Sequence, residues 1–543
     1  MSKKESFIRG TIILAVAALV ARVLGLVQRV PLEHLLGDVG DASFGIANSV
    51  YLMLLTVATA GIPSTLSKMV SERYALDKPE EAKRVYQAAL IFATFAGLVM
   101  TLLLWSLAPF YATYIAQVPE SATAIRALAP ALLLFPTIAM MRGYFQGRNN
   151  MTAGGISQIV EQFARVGTAI LLAFVLLRAG YGDTEVAAGA TFGGVLGSIG
   201  AFAVMLYYTR KQIRKDRESG LQNLPGAQIP LSRIYRDIFT LSIPIVLSSL
   251  AVPAVNFIDS SIIKPLISGQ VGSDTATAML GILTNRAQPV AGIPPILAIA
   301  LSQSLVPVIS AAYARKDEMH LRGQVTLAMR IAIMTGMPMV IALCVAAYSI
   351  NGLLFSSLDG SGIVALLTLG TIFQITMMTS SSILLGIGKP RITMVTVFIG
   401  IIIKLAASFI LANFFGIYGI IASTGLAFFV ITLLNIRVLK KTVTFSILGK
   451  RWAGFLITVV ISSAIGYGLH QLGLSMVDMM PARVAFLINC MLVGIVVVIS
   501  YFVLLITLRV LREDELKNYP RMIQRVLRPL MRLQRGRKQS SQG

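Results

Sequence analysis

Arg142-Gly-Tyr-Phe-Gln-Gly-Arg-Asn-Asn-Met-Thr-Ala-Gly-Gly-Ile-Ser-Gln-Ile-Val-Glu-Gln-Phe-Ala-Arg165 separates two long apolar stretches and carries polar residues into the second. Gln158, Glu161, Gln162 and Arg165 fall at i, i+3, i+4 and i+7, a spacing that sets them on one helical face. The helix then continues as an apolar span from Val166 to Leu177. Charged groups inside a membrane helix are costly unless they face protein or water. The stretch therefore predicts an all-α polytopic membrane protein that encloses a polar path.

Composition agrees. Of 543 residues, 56% are hydrophobic and only 13% charged, and the mean hydropathy is +0.77. A soluble chain of this length needs far more charge to cover its surface. Apolar runs of about twenty residues recur about fourteen times, from 8–30 to 484–508, and each is long enough to cross a bilayer. Arg22 interrupts the first run, which lacks a clear small-residue cleavage site. That run reads as a retained helix and not as a signal peptide.

The formal charge of +23 is unevenly placed. Basic residues gather in alternate connections, among them Arg73 to Arg84, Arg210 to Arg236, Arg315 to Arg322 and the tail from Arg509 to Lys538. The intervening connections carry Asp38 and Asp41, Asp183 and Glu185, Asp274 or Asp359. This positive-inside pattern puts both termini in the cytoplasm. It also argues against nucleic acid as a partner; the basic tail either meets anionic membrane lipids or stays solvated. Cys344, Cys490 and three scattered histidines form neither a disulfide framework nor a metal site.

The chain repeats itself at a constant offset. Gly147 pairs with Gly386 (386 − 147 = 239), Tyr74-Ala75 with Tyr313-Ala314, and Arg165 with Lys404. The offset predicts two six-helix lobes, 1–208 and 237–440, joined by a basic linker at 209–236. Helices thirteen and fourteen (441–508) and a basic tail (509–543) follow. Six spans per lobe give both lobes one orientation, a parallel repeat with pseudo-twofold symmetry. Transporters so built bind substrate near the midplane and work by alternating access.

Arg22, Arg165, Arg286 and Lys404 are expected deep in the membrane, with Arg29 and Arg142 nearer its faces. Asn256 and Asp259 lie in a seventh span that Pro244 and Pro253 are expected to bend. A cavity richer in Arg and Lys than in acids suits an anionic ligand, and guanidinium forks match phosphate oxygens. Glu161 and Arg165, at i and i+4, fit either an internal ion pair or the cavity wall, and spacing does not choose between them.

Four stretches resemble the MurJ/SpoVB/YtgP group of lipid-linked oligosaccharide flippases, within the multidrug/oligosaccharidyl-lipid/polysaccharide superfamily. They are Arg22-Val-Leu-Gly-Leu-Val-Gln-Arg29, Gly61-Ile-Pro-Ser-Thr-Leu-Ser-Lys-Met-Val-Ser-Glu72, the segment from Arg142 to Gln162, and Thr284-Asn-Arg286 leading to Ser310. The resemblance implies an exporter of lipid II, the undecaprenyl-diphosphate-linked peptidoglycan precursor, in a bacterial cytoplasmic membrane. It further implies Arg22 and Arg286 as diphosphate ligands and cell-wall synthesis proteins as partners. Gln28 stands at the family's next basic position, and the basic pair of the second helix is missing near Leu55 and Thr56. Some members bind sodium through acids of the seventh and eleventh helices, and on the eleventh this chain has Lys404 and no acid; a tethered ammonium is expected to stand in for the ion.

The rival readings are a flippase for another polysaccharide-lipid and a multidrug or cation antiporter of the same superfamily. No G-x-x-x-x-G-K-[ST] loop and no catalytic cluster is present. The expectation is a transporter without cofactor or catalytic residue, coupled to the membrane potential or to a Na+ or H+ gradient.

Overall fold

The computed structural model describes residues 20–21, 23–59, 61–148, 150–218 and 230–511, with the side chains at 297, 300–307 and 311 excepted. Among them every regular element is helical. The first helix, α1, runs over 23–35. Next come α2 (Asp38–Thr59), α3 (Ile62–Ala75), α4 (Pro79–Phe110), α5 (Ser121–Leu128), α6 (Ala131–Gly147), α7 (Met151–Arg178), α8 (Asp183–Glu218), α9 (Leu231–Ser249), α10 (Ala251–Val271) and α11 (Ser273–Gly281). The remainder are α12 (Gln288–Ala291), α13 (Pro295–Ala314), α14 (Glu318–Val345), α15 (Ala347–Leu354), α16 (Ser361–Gly386), α17 (Pro390–Thr442), α18 (Trp452–Leu474) and α19 (Ala482–Thr507).

Ten of the described helices are long and apolar enough to cross a membrane, or eleven with α9 and α10 taken together. The expected fourteen differ from this count for physical reasons. Most of the first span lies outside the described residues. Spans eleven and twelve run on as one 53-residue helix, α17, which Gly416 divides at φ 54°, ψ −132°. At 1.5 Å per residue such a helix is about two and a half times as long as one crossing needs. The eighth span is broken into α11, a π turn at Ile282–Ala287, α12 and α13. The seventh bends by 51° between α9 and α10, and the break falls between Pro244 and Pro253, as expected.

The ends of the 209–236 linker are helical. Helix α8 continues to Glu218, and α9 begins at Leu231. Arg148 reaches Asp216 in this extension with two bonds, Nη1–Oδ2 at 2.5 Å and Nη2–Oδ1 at 2.7 Å.

By internal contacts the chain forms two compact units, Met1–Asn285 and Arg286–Gly543. In the first, α10 and α11 pack on α2, so the seventh span and the start of the eighth share a unit with α1 to α8. Its core gathers Leu66, Val70, Ala89, Met140 and Phe145. Val325, Met329, Leu384 and Leu439 do the same in the second unit. Outward-facing positions remain apolar; Phe95 on α4 and Val460 on α18 are each 65% exposed. Such surfaces are stable against lipid tails and not against water.

Small residues set the close helix approaches in the first unit. Helices α7 and α8 share the most extensive packing. A Cβ at Gly193 would lie 2.7 Å from Ala169 Cβ, and one at Gly197 would lie 2.8 Å from Arg165 Cβ. A Cβ at Gly143 of α6 would lie 2.6 Å from Pro63 O of α3. Small-xxx-small spacing is the usual way for membrane helices to pack without a hydrophobic driving force. The prediction is that Gly197→Leu overpacks this seam at a cost of roughly 1–3 kcal/mol. Thermal melting of the detergent-solubilised protein checks it, and an unchanged midpoint would show the seam to be loose.

Candidate functional site

The polar stripe identified in the sequence faces protein. Glu161 is 5% exposed, Gln158, Gln162 and Arg165 are half-buried, and Phe163 between them is 58% exposed. Helix α8 supports the stripe from behind through the glycines just described.

Glu161 pairs with Arg142 and not with Arg165. Arg142 Nη2 donates to Glu161 Oε2 at 2.7 Å and to Ser157 Oγ at 2.9 Å. Ser157 Oγ in turn donates to Ala201 O at 3.2 Å. Arg142 is one residue before Gly143, so the α6–α3 contact and this ion pair are built on adjacent positions.

Arg165 is thereby left to a different role. Its side chain lines a water-sized cavity of about 10 Å³ with Gln28, Asn48, Tyr51 and Thr191. Among the described residues, no side chain hydrogen-bonds or ion-pairs with it. Arg29 lies within electrostatic range of it, and Tyr51 within range of Arg165, Glu161 and Arg142 together. Arg29 stacks over Phe44 at 4.8 Å and donates to Asn285 Oδ1. Asn285 Nδ2 donates to Asp41 O at 2.5 Å and Asp41 Oδ1 at 2.7 Å. Arg29 is therefore anchored inside the protein, not snorkelled to headgroups.

Four residues of this region, Gln28, Asn48, Asp41 and Asn285, were not singled out by sequence reasoning as site residues. The signal for them was a polar group in an apolar run, and neutral amides stand out less than charges there. Arg22 lies outside the described residues. Asp259 is 2% exposed on α10, and Asn256 is half-buried one turn before it.

The second unit holds two further candidates. Arg286, on the π turn, donates to Asp359 O at 3.4 Å and lies 5.8 Å from the Phe355 ring centre. Lys404 is fully buried, at 0% exposure. Its ammonium donates to Ile420 O at 2.7 Å and Ser423 Oγ at 2.8 Å, and Ser423 also meets Ser408 at 2.7 Å. The His470, Asn489 and Ser349 cluster, joined by bonds of 3.1–3.5 Å, is an interior brace between α15, α18 and α19. No group of three metal-ligating side chains occurs among the described residues.

A family model for polysaccharide biosynthesis proteins matches residues 7–313, more than half of the chain. The chain belongs to the polysaccharide biosynthesis protein family. Its relatives within and around this family include the lipid II flippase MurJ of Bacillus subtilis, 26% identical over 86% of this chain and 88% of that protein. Stage V sporulation protein B of the same organism is 24% identical over 95% and 98%. Two solved structures share the fold. A lipid II flippase MurJ in an inward closed conformation has a TM-score of 0.66 at 16% identity, over 92% of this chain and 100% of that one. An inward-facing multidrug resistance MATE transporter of the MOP superfamily has a TM-score of 0.62 at 17% identity, over 78% and 96%. This family member is thus a multi-pass membrane protein that shares its fold with those two structures.

The buried ion pair makes a definite energetic prediction. Glu161→Gln strands the Arg142 guanidinium and is expected to cost about 3 kcal/mol, the lower end for a broken buried pair, because Arg142 keeps some access to water. Replacing both, Arg142→Met with Glu161→Leu, is expected to recover most of the loss. A double-mutant cycle on unfolding in mixed micelles measures the coupling; strictly additive losses would contradict the pairing.

Proposed function

We propose that this protein moves a lipid-linked oligosaccharide diphosphate, lipid II by first preference, from the inner to the outer leaflet by alternating access. One observation carries the reading. Arg165 lines a small, water-sized cavity of mixed polar and apolar lining within the membrane-spanning region, and the carboxylate that sequence spacing offered it belongs to Arg142. A cation in a low-dielectric interior requires compensation from water or an anion. A diphosphate provides two acceptors for the fork of one arginine.

The neighbouring groups fit the same class of ligand. Arg29 adds positive potential that Asp41 and Glu33 offset in part, Arg142 is neutralised by Glu161, and Tyr51, Asn48 and Gln28 offer donors for phosphate or sugar oxygens. The relative named as a lipid II flippase supports this class. Orientation follows the charge pattern, with both termini cytoplasmic, and the two repeats serve as the lobes. Outward movement of a lipid bearing negative charge is downhill in an inside-negative potential, by about 2.3 kcal/mol per charge per 100 mV. Membrane potential is therefore the favoured energy source, and no covalent chemistry is required.

Complementation of a bacterium depleted of its own lipid II flippase tests this, scored by precursor exposed on the outer face. Wild type is expected to restore exposure. Arg165→Ala is expected to lower it roughly tenfold or more at equal membrane abundance. Arg165→Lys should retain part of the activity, since it keeps the charge and loses the fork. Failure of the wild type, or full activity of Arg165→Ala, would remove the proposal.

A further inference from the structure

A second cavity, of about 340 Å³, lies in the first unit between α4, α6 and α8. Its volume falls in the range of small-ligand sites, ~300–1,000 Å³. No part of the Arg165 site lines it. One end is apolar, with Leu90, Met141, Phe202 and Leu206; the other carries Glu80, Lys83 and Asp216. Beside it on α4, Ile91 and Phe95 are 63% and 65% exposed, and Tyr207 on α8 is 62% exposed. The cleft thus adjoins the lipid-facing surface. It runs along the helix axes from membrane depth to the basic connections.

Most polar groups at its mouth already have partners. Asp216 accepts from Arg148 and, at 2.8 Å, from Gln212. The Tyr144 hydroxyl accepts from Arg148 at 2.8 Å and meets the Tyr74 hydroxyl at 3.3 Å. Tyr86 and Thr209 are the exceptions. Both line the cavity, and their hydroxyls are near each other, yet neither oxygen makes a well-formed hydrogen bond. Tyr86 is only 7% exposed and is held by a 4.1 Å stack on Tyr144. Leaving buried hydroxyls without well-formed hydrogen bonds is costly, and these two line the same cleft as the exposed Lys83.

We propose that this cleft binds an anionic glycerophospholipid of the leaflet facing the basic connections. One acyl chain lies along Leu90, Met141 and Leu206. A phosphate oxygen accepts from Tyr86 and Thr209, and Lys83 balances the phosphate charge. Glu80, the one acid at the mouth beyond the Arg148 pair, disfavours a second negative group and leaves a single phosphodiester as the best match. The surrounding Arg73, Lys78, Arg84, Arg210 and Lys211 raise the local concentration of anionic lipid. The inference uses the membrane orientation and is independent of what the Arg165 site transports.

The test is thermal melting and native mass spectrometry of the delipidated full-length protein. Phosphatidylglycerol, phosphatidylcholine and water-soluble glycerol 3-phosphate are added separately. Phosphatidylglycerol is expected to raise the melting midpoint and to remain bound at one copy. Phosphatidylcholine should do so less, and glycerol 3-phosphate not at all. Leu206→Trp fills the apolar end and should abolish the shift. Lys83→Gln, at an exposed position that leaves folding intact, should weaken phosphatidylglycerol about fivefold. Tyr86→Phe keeps the ring stack and should also weaken it. A shift equal in all three variants, or one reproduced by glycerol 3-phosphate, overturns the proposal, as does equal stabilisation by the two lipids.

Discussion

The Arg142–Glu161 ion pair is the contact on which the polar interior of the first unit depends. Charge is expensive in an interior of low dielectric constant, so each carboxylate there determines which cation it neutralises. Glu161 serves Arg142, which is also tied to Ser157 on α7. That bond joins α6 to α7 across the connection between them. It also removes the only acid within one helical turn of Arg165, so the same pair that braces the unit leaves a guanidinium facing a cavity.

Residues at equivalent places in the sequence repeat have different surroundings. Arg165 and Lys404 are related by the offset of 239, and both lie within apolar spans. Arg165 is half-buried and lines a small cavity that Gln28, Asn48 and Tyr51 share with apolar side chains. Lys404 is fully buried, and its ammonium is held by a main-chain carbonyl and a serine hydroxyl. An ammonium on a flexible stem can be enclosed by a few oxygens, whereas a planar guanidinium with five donors is harder to satisfy internally. The difference leaves Lys404 enclosed by its own oxygens and Arg165 at the wall of a cavity.

A fold shared with both a lipid II flippase and a multidrug transporter does not choose a substrate. The choice rests on the chemistry of the site, where Glu161 serves Arg142 and Arg165 has no carboxylate bonded to it among the described residues. The second cleft has another character, with apolar residues at membrane depth and two unsatisfied hydroxyls near the interface. One helical unit thus supports two polar environments, separated by the packed core around Met140 and Phe145.

The helical membrane class, the polar stripe on α7 and the bend of the seventh span were determined by the sequence itself. Hydropathy over about twenty residues, a 3.6-residue period and proline geometry are local properties, readable without contacts. Tertiary structure decided which charges meet. Spacing within one helix left Glu161 open to Arg165 or to the cavity wall, and the partner came from α6, nineteen residues earlier in the chain. Asn285 reached Asp41 over 244 residues, and the unsatisfied hydroxyl of Tyr86 acquired meaning only beside Thr209. The physical reason is that ion pairing and desolvation depend on distances of a few ångströms between helices. Those distances are set by small residues such as Gly143 and Gly197, whose effect appears only when the helices are packed.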